Sequence, residues 1–305
     1  MKDLQTKQQH MKKTLFLSTM IKRKATILSL IVGAGSASAV PITVNQFEPN
    51  PAVPVADTWY LNDVRVGGSA TIQDLTGLGG NLETNQPLPN GAARLTTNNT
   101  DAAKAEVSTW ANFGLASAVL NSINLSYDFY KAAGPVSDPA PSLKLILRAP
   151  NHNQSLNDGY GALVYEPYWN PFGSAVPTDA WTAVAIDQNT GSGLDASGGW
   201  WWNGGFEIGS GGGGPPMRSL AEWAAAFATA DPTDFSSASV IGLSVGIGTY
   251  NQSQDNYFDN VSITTGTINK TYDFGGQSVP DGGSTLVLLG GALTGLGALR
   301  RKFRK

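Results

Sequence analysis

Short runs of alternating or continuous β-prone residues recur along the chain and predict a mainly β protein. In residues 143–147, Leu-Lys-Leu-Ile-Leu places three leucines on one face of a strand, because successive side chains point to opposite faces. Connections rich in Gly, Pro, Asn and Asp, such as 87–91, separate these runs. The predicted strands are Trp59–Val66, Ala92–Thr97, Ile123–Tyr130, Leu143–Leu147, Ala162–Tyr165, Trp181–Ile186, Val240–Ile247 and Tyr257–Ile263. This pattern is typical of a β-sandwich or jelly roll.

One helical period interrupts the β pattern. Ser219 and Glu222 have the spacing of a capping box, with Ser at the N-cap and Glu at the third helical position. An apolar stripe then runs from Leu220 to Phe227, and Pro232 ends the period. The sequence therefore predicts an all-β domain with one short helix.

The C-terminal end contains an uncharged apolar run from Gly282 to Leu299. As a helix it would be about 27 Å long, close to the hydrocarbon thickness of about 30 Å, so it predicts a single transmembrane helix. The alternative is a buried helix of a soluble domain. A basic tail favours the membrane interpretation, because such residues collect on the cytoplasmic side of spanning helices. The tail consists of Arg300, Arg301, Lys302, Arg304 and Lys305.

The N-terminal end has the three parts of a secretory signal peptide. Residues 22–24 are basic, residues 25–32 form a short apolar run, and Ala37 and Ala39 form an A-x-A site before Val40. We therefore expect residues 1–39 to be an N-terminal extension and signal peptide, cleaved before Val40.

The junction between the β-rich region and the apolar run carries a small polar motif. Its residues are Val279, Pro280, Asp281, Gly282, Gly283, Ser284 and Thr285. Motif, apolar run and basic tail together resemble the PEP-CTERM sorting signal of Gram-negative bacteria, in a V-P-D-G-G-S-T variant. The resemblance implies recognition by an exosortase-type membrane peptidase, which removes the anchor from proteins associated with extracellular polysaccharide or biofilm. It also implies export through the inner membrane, anchoring by the helix, and a final place at the cell surface or in the matrix.

The second half of the β-rich region, about 219–263, resembles the ectodomains that accompany this signal and lectin-like jelly rolls. The shared features are the helix, the Gly-rich strand Val240–Ile247 and a closing strand with Asp259-Asn260-Val261. The resemblance implies a structural calcium ion with Glu48 and Asp259 as ligands. The alternative is that Asp259 only hydrogen-bonds a neighbouring turn. We therefore divide the remaining chain into a jelly-roll ectodomain (40–265), a last strand or stalk (266–278) and the sorting signal (279–305).

Charge is distributed unevenly. Seven of the 20 Lys and Arg residues lie in 1–39 and five lie after 278, whereas only one of the 23 Asp and Glu residues lies in each of these ends. Eight cations and 21 carboxylates remain in the middle region, a net charge of −13. Such a charge disfavours nucleic acid as a partner and leaves neutral sugars or divalent cations. The absence of Cys excludes disulfides and thiolate chemistry.

Catalytic signatures are weak. His152 is the single His after residue 39, and no G-x-S-x-G turn is present, so neither a Ser-His-Asp triad nor a His-rich zinc site is indicated. A glycosidase or lyase needs only two carboxylates, for which Glu166, Glu207 and Asp187 are candidates. We assign no catalytic residue and expect a non-enzymatic protein.

Aromatic residues give the better binding signal. In a strand, Trp200 and Trp202 share one face and Trp201 the other, while Trp169 belongs to a second aromatic cluster. These tryptophans either seal the core or hold a sugar ring. The resulting interpretation is an exported surface or matrix protein with a polysaccharide-binding ectodomain. The alternatives are a glycan-active jelly-roll enzyme and a structural adhesin that binds protein or itself.

Overall fold

The computed structural model describes residues 40–153, 158–170, 176–191, 198–209 and 214–275, which form a sandwich of two seven-stranded sheets. Sheet A contains β1 (Ile42–Thr43), β4 (Gly68–Gln73), β5 (Ala92–Thr97), β7 (Asn124–Lys131), β10 (Trp181–Asp187), β13 (Asp255–Thr264) and β14 (Asn269–Asp273). Sheet B contains β2 (Glu48–Pro49), β3 (Trp59–Leu61), β6 (Ala105–Leu115), β8 (Ser142–Asn153), β9 (Asp158–Tyr165), β11 (Trp200–Gly205) and β12 (Ser239–Ile247). The sandwich predicted from the sequence is therefore confirmed.

Sheet A is organised around β13. Strand β7 runs antiparallel along one side of β13 and pairs in turn with β10. The other side is divided, because residues 255–258 pair with β5 and residues 261–264 pair with β14. Strand β4 continues the sheet beyond β5, and β1 pairs with β14 in parallel. The first and last strands of the sandwich are thus neighbours.

Sheet B has the order β11-β9-β8-β12-β6-β3-β2, and its register determines which side chains face the core. Trp200, Tyr165, Leu143, Val245 and Val107 are successive cross-strand partners. Partners in register share a face, so this apolar row points inward. The residues between them along each strand point outward and form the face described below.

One apolar core fills the space between the sheets. Trp59 of sheet B contacts Tyr272 and Phe274 edge-on, with ring centroids 5.4 and 4.9 Å apart. All three side chains are fully buried, and aromatic residues contribute about 150–250 Å² of buried area each. The beginning and the end of the sandwich are therefore held together by aromatic packing as well as by strand pairing.

Four α-helices, rather than the single one expected, occur in the described part of the chain. They are α1 (Gly80–Thr84), α2 (Ala116–Val119), α3 (Leu220–Ala230) and α4 (Pro232–Phe235). The expectation of one helix was wrong because α1, α2 and α4 are only about one turn long and show no helical period. Gly79 and Gly80 have positive φ values of 73° and 64°, so the start of α1 reads as a turn in the sequence.

The predicted helix α3 has the expected capping box. Ser219 Oγ accepts a hydrogen bond from the Glu222 backbone N–H at 3.2 Å, and Glu222 Oε2 accepts one from the Ser219 N–H at 2.9 Å. Trp223 and Phe227 are buried and stack at 5.3 Å, and the indole N–H of Trp223 donates to the Trp200 carbonyl at 2.8 Å. Helix α3 therefore joins the core next to β11.

All eight predicted strands are present, seven of them with shifted ends. The largest shifts are at the predicted Leu143–Leu147, where β8 continues to Asn153, and at the predicted Trp59–Val66, where β3 already ends at Leu61. Within the segment 266–278, Asn269–Asp273 form β14 of sheet A. No helix in the described residues is long and apolar enough to cross a membrane, and the predicted transmembrane run lies outside them.

Candidate functional site

The tryptophan triplet divides between the two faces of sheet B, as the strand period predicts. Trp200 and Trp202 are fully buried in the core, whereas Trp201 is half-buried on the outward face. Trp169 is also half-buried, in the 3-10 turn Pro167–Trp169 that follows β9. Trp201 is therefore the member of the triplet that a ligand on the outward face would meet.

Trp201 is held by a buried carboxyl group. Its indole N–H donates to Glu166 Oε2 at 2.9 Å, and Tyr168 also hydrogen-bonds this carboxyl group. Burial raises the pKa of Glu166, and the two hydrogen bonds offset part of this rise. These contacts fix the orientation of the Trp201 ring at the edge of sheet B.

The outward face of sheet B carries a cross-strand row that ends at Trp201. In register, the row consists of Tyr60, Ser108, Ser244, Lys144, Val164 and Trp201. The two serine hydroxyl groups contact each other at the centre of the sheet. Large aromatic side chains thus stand at both ends of the row, and the two serines at its centre are buried.

A charge cluster stands beside this row. Glu106 is only 5% exposed, and its Oε2 accepts from Lys144 Nζ and lies 3.0 Å from Lys104 Nζ. Asp63 in turn binds Lys104 at 2.6 Å and Arg65 at 2.8 Å. Burial by itself raises the pKa of a carboxyl group, but the two lysine charges outweigh it, so the pKa of Glu106 is lowered. The two carboxylates thus pair with all three cations and leave the cluster with a net charge of +1.

A cleft of about 520 Å³ lies at the other end of the outward face. Trp110 of β6 and Arg148 of β8 line it, together with Pro54, Asn112, Ser239 and Ile241. Trp110 and Arg148 were not predicted from the sequence, because they are 38 positions apart and stand among ordinary strand residues.

The residues considered for catalysis do not form a site. Asp187 ends β10 in sheet A, where Oδ1 accepts from the Asn189 N–H and the Thr190 hydroxyl at 2.9 Å each. Glu166 is in sheet B, and Glu207 is exposed beyond the far end of β11, a strand about 20 Å long. His152 Nδ1 hydrogen-bonds the Ala149 carbonyl at 3.0 Å and its ring packs at 6.1 Å from that of Tyr160.

The two residues expected to bind calcium stand in different sheets. Glu48 is on β2 of sheet B, where Gln46 donates to its carboxylate. Asp259 is fully buried on β13 of sheet A, with Oδ1 accepting from the Phe274 N–H at 2.9 Å and Oδ2 lacking any hydrogen-bond partner. Asp273 also has a buried oxygen without a partner, and its charge helps to raise the pKa of Asp259. Asp273, rather than Glu48, is thus a carboxyl group whose charge acts on Asp259.

The C-terminal residues 278–303 match the model of the VPDSG-CTERM motif, a PEP-CTERM-like sorting signal. At the position of the motif's Ser the chain has Gly282. No curated protein is a significant match to the chain. The sorting motif, the basic tail and the Ala37 and Ala39 cleavage site lie outside the described residues.

Several solved structures have weak similarity to the sandwich. A family 11 carbohydrate-binding module of a Clostridium thermocellum cellulosomal cellulase is 11% identical over 73% of this chain and 95% of its own, with a TM-score of 0.34. A putative sugar binding protein from Bacteroides thetaiotaomicron is 13% identical over 73% and 94%, with a TM-score of 0.36. A carbohydrate-binding module specific for non-crystalline cellulose is 10% identical over 76% and 99%, with a TM-score of 0.33. Scores this low establish neither a common topology nor a shared function.

Proposed function

We propose that this chain is an exported, membrane-anchored bacterial surface or matrix protein whose sandwich binds polysaccharide without acting on it. The VPDSG-CTERM match supports delivery, because it places a sorting signal directly after the sandwich. Export by an N-terminal signal peptide and processing by an exosortase-type membrane peptidase complete this route.

The observation that carries the binding proposal is the outward face of sheet B. Half-buried aromatic rings at Trp110, Tyr160 and Trp201 stand on this face, and the polar side chains of Asn112 and Ser239 line the cleft beside Trp110. Aromatic rings with fixed orientation and nearby polar groups are the components of a ligand site, and both are suited to a sugar ring. The carboxyl groups on the face are occupied by Lys or Trp partners, which favours binding over two-carboxylate catalysis.

A glycan array with the exported chain, purified in mild detergent, tests the binding proposal. We expect retention of at least one polysaccharide and a loss of about tenfold or more in affinity for Trp201→Ala or Trp110→Ala. Tyr250→Ala is the matched control, since Tyr250 is 76% exposed in the turn between β12 and β13. Selective capture of protein, with no glycan bound, would favour the adhesin alternative, and release of shortened sugars would favour the enzyme.

The sorting proposal is tested separately. A tag placed after Lys305 should be absent from the mature surface form and present in the precursor. In cells without the exosortase-type peptidase, the tagged form should accumulate in the membrane fraction. A mature surface protein that keeps the tag would contradict removal of the anchor.

A further inference from the structure

The cleft at the Trp110 end of sheet B differs from the rest of the outward face because it contains a cationic side chain, Arg148, outside any ion pair among the described residues. Arg148 is exposed at the cleft and has no ion pair with a described carboxylate. By contrast, Arg65, Lys104 and Lys144 beside the same face are all paired with Asp63 or Glu106. The cleft therefore presents a guanidinium group whose hydrogen-bonding capacity is available to a ligand.

Trp110 forms a rigid wall of this cleft. Its six-membered ring covers Gly242 of β12 so closely that a Cβ there would lie 2.8 Å from Cε3 and Cζ3. Its indole N–H donates to Asn50 Oδ1 at 3.2 Å, which fixes the rotation of the ring. Because residue 242 is Gly, the indole of Trp110 can lie directly against the sheet and form a platform.

The spacing between Trp110 and Arg148 suits one sugar residue. Strand β12 lies between their strands, so the two strands are about 10 Å apart, and Arg148 lies two residues along β8 from Ile146, the residue level with Trp110. Arg148 is opposite Ser239 on one side and Tyr160 on the other. The amide of Asn112 and the hydroxyl of Ser239 also line the cleft and supply neutral hydrogen-bonding groups.

We propose that this cleft is a subsite for a uronate residue of an acidic polysaccharide, with Trp110 against the apolar face of the sugar and Arg148 on its carboxylate. A guanidinium group matches a carboxylate with two parallel hydrogen bonds, which a neutral sugar cannot accept in the same way. The net charge of −13 does not oppose this locally, because charges beyond about 8 Å are largely screened at physiological salt. This inference rests on the proposed polysaccharide binding and specifies its ligand.

Binding to alginate, polygalacturonate and glucuronoxylan, each compared with the same polymer after reduction of its carboxyl groups to alcohols, tests the proposal. We expect at least one acidic polymer to bind the exported chain about tenfold to a hundredfold more tightly than its reduced form. Arg148→Gln should remove this preference and leave affinity for the reduced polymer unchanged. Trp110→Ala should weaken both.

Arg94→Gln is the matched control. Arg94 pairs with Asp255 on the outward face of sheet A, so this substitution changes the net charge equally without touching the cleft. If glycans bind but reduction or Arg148→Gln has no effect, the uronate subsite is wrong while polysaccharide binding stands. If dextran sulfate binds as tightly as the acidic polymers and its binding also depends on Arg148, the cleft recognises anions in general and the proposed carboxylate recognition is wrong. If no acidic, reduced or arrayed glycan binds, both proposals fail.

Discussion

Asp259 is a carboxylic acid in a position where its ionised form is poorly compensated. One oxygen accepts from the Phe274 N–H, while the other is buried without a partner. Burial, together with the negative charges of Asp273 and Asp128, raises its pKa to about 8. Strand register explains the proximity of Asp128, which is directly opposite Asp259 on β7.

This pKa predicts a specific dependence of stability on pH. The unfolded chain releases the proton near pH 4 and the folded chain near pH 8, so folding takes up one proton between these values. The free energy of unfolding should therefore decrease by up to about 1.4 kcal/mol per pH unit across this window. In Asp259→Asn this decrease should be smaller, as measured by urea unfolding in chelator at pH 5 and pH 8.5. An identical slope in the variant would show that Asp259 does not carry the effect.

Calcium bound at Asp259 and Asp273 should oppose this loss of stability with rising pH. A cation favours ionised carboxylates at Asp259 and Asp273, so added calcium should raise the Tm more at pH 8.5 than at pH 5. Asp259→Asn should lose this increase, whereas Glu48→Gln should keep it if Asp273 is the second ligand. If neither calcium nor excess chelator changes the Tm, calcium does not bind at this site.

The charge cluster on sheet B makes Glu106 a sensitive position. Two half-buried lysines share this carboxylate, and removing it leaves Lys144 without a counter-charge and Lys104 with Asp63 alone. Glu106→Gln should therefore lower the free energy of unfolding by about 3 kcal/mol. Arg94→Gln breaks the exposed pair with Asp255 and should cost at most about 1 kcal/mol. Equal effects in chemical unfolding would contradict the difference in burial.

At the scale of single elements, α3 depends on its first residue. The Ser219 hydroxyl satisfies a backbone N–H that has no partner within the helix. Ser219→Ala should lower the free energy of unfolding by about 1 kcal/mol. Thr229→Ala, at an exposed position near the end of α3, should change it by less than about 0.5 kcal/mol. Equal values would indicate that the capping box contributes little here.

Elements whose inward positions are apolar and whose outward positions are polar could be predicted from the sequence, and elements without this difference could not. Strand β5 was predicted with its observed bounds, because apolar residues such as Leu95 alternate with polar ones. Strand β6 has eleven residues but was missed. Its inward positions include Ala105 and Thr109 and its outward positions include Trp110, so the usual contrast between the two faces is weak or inverted.

The candidate site was predictable only where it lies within one strand. The period of two correctly separated Trp201 from its two buried neighbours. The positions of Trp110, Arg148 and Gly242 relative to one another depend on strand order and on a bulge in β12 between Val240 and Gly242. Neither strand order nor a bulge can be derived from local residue patterns.

For the whole molecule, β14 sets the C-terminal limit of the domain. A chain that ends at residue 265 lacks Tyr272 and Phe274, which are fully buried against Trp59. We expect such a chain to be insoluble or unfolded, while one that ends at residue 275 folds. Circular dichroism and proteolysis of the two chains measure the difference. A folded product ending at 265 would show that β14 is dispensable.

The parallel pairing of β1 with β14 also has a consequence for the order of events during export. About 230 residues separate Ile42 from its partner Tyr272, so the chain must close almost its full length before these contacts form. On the proposed export route, the N-terminal strand would cross the inner membrane first and could not complete the sandwich before the last strand followed. Completion of the sandwich would then coincide with the arrival of the sorting signal at the membrane.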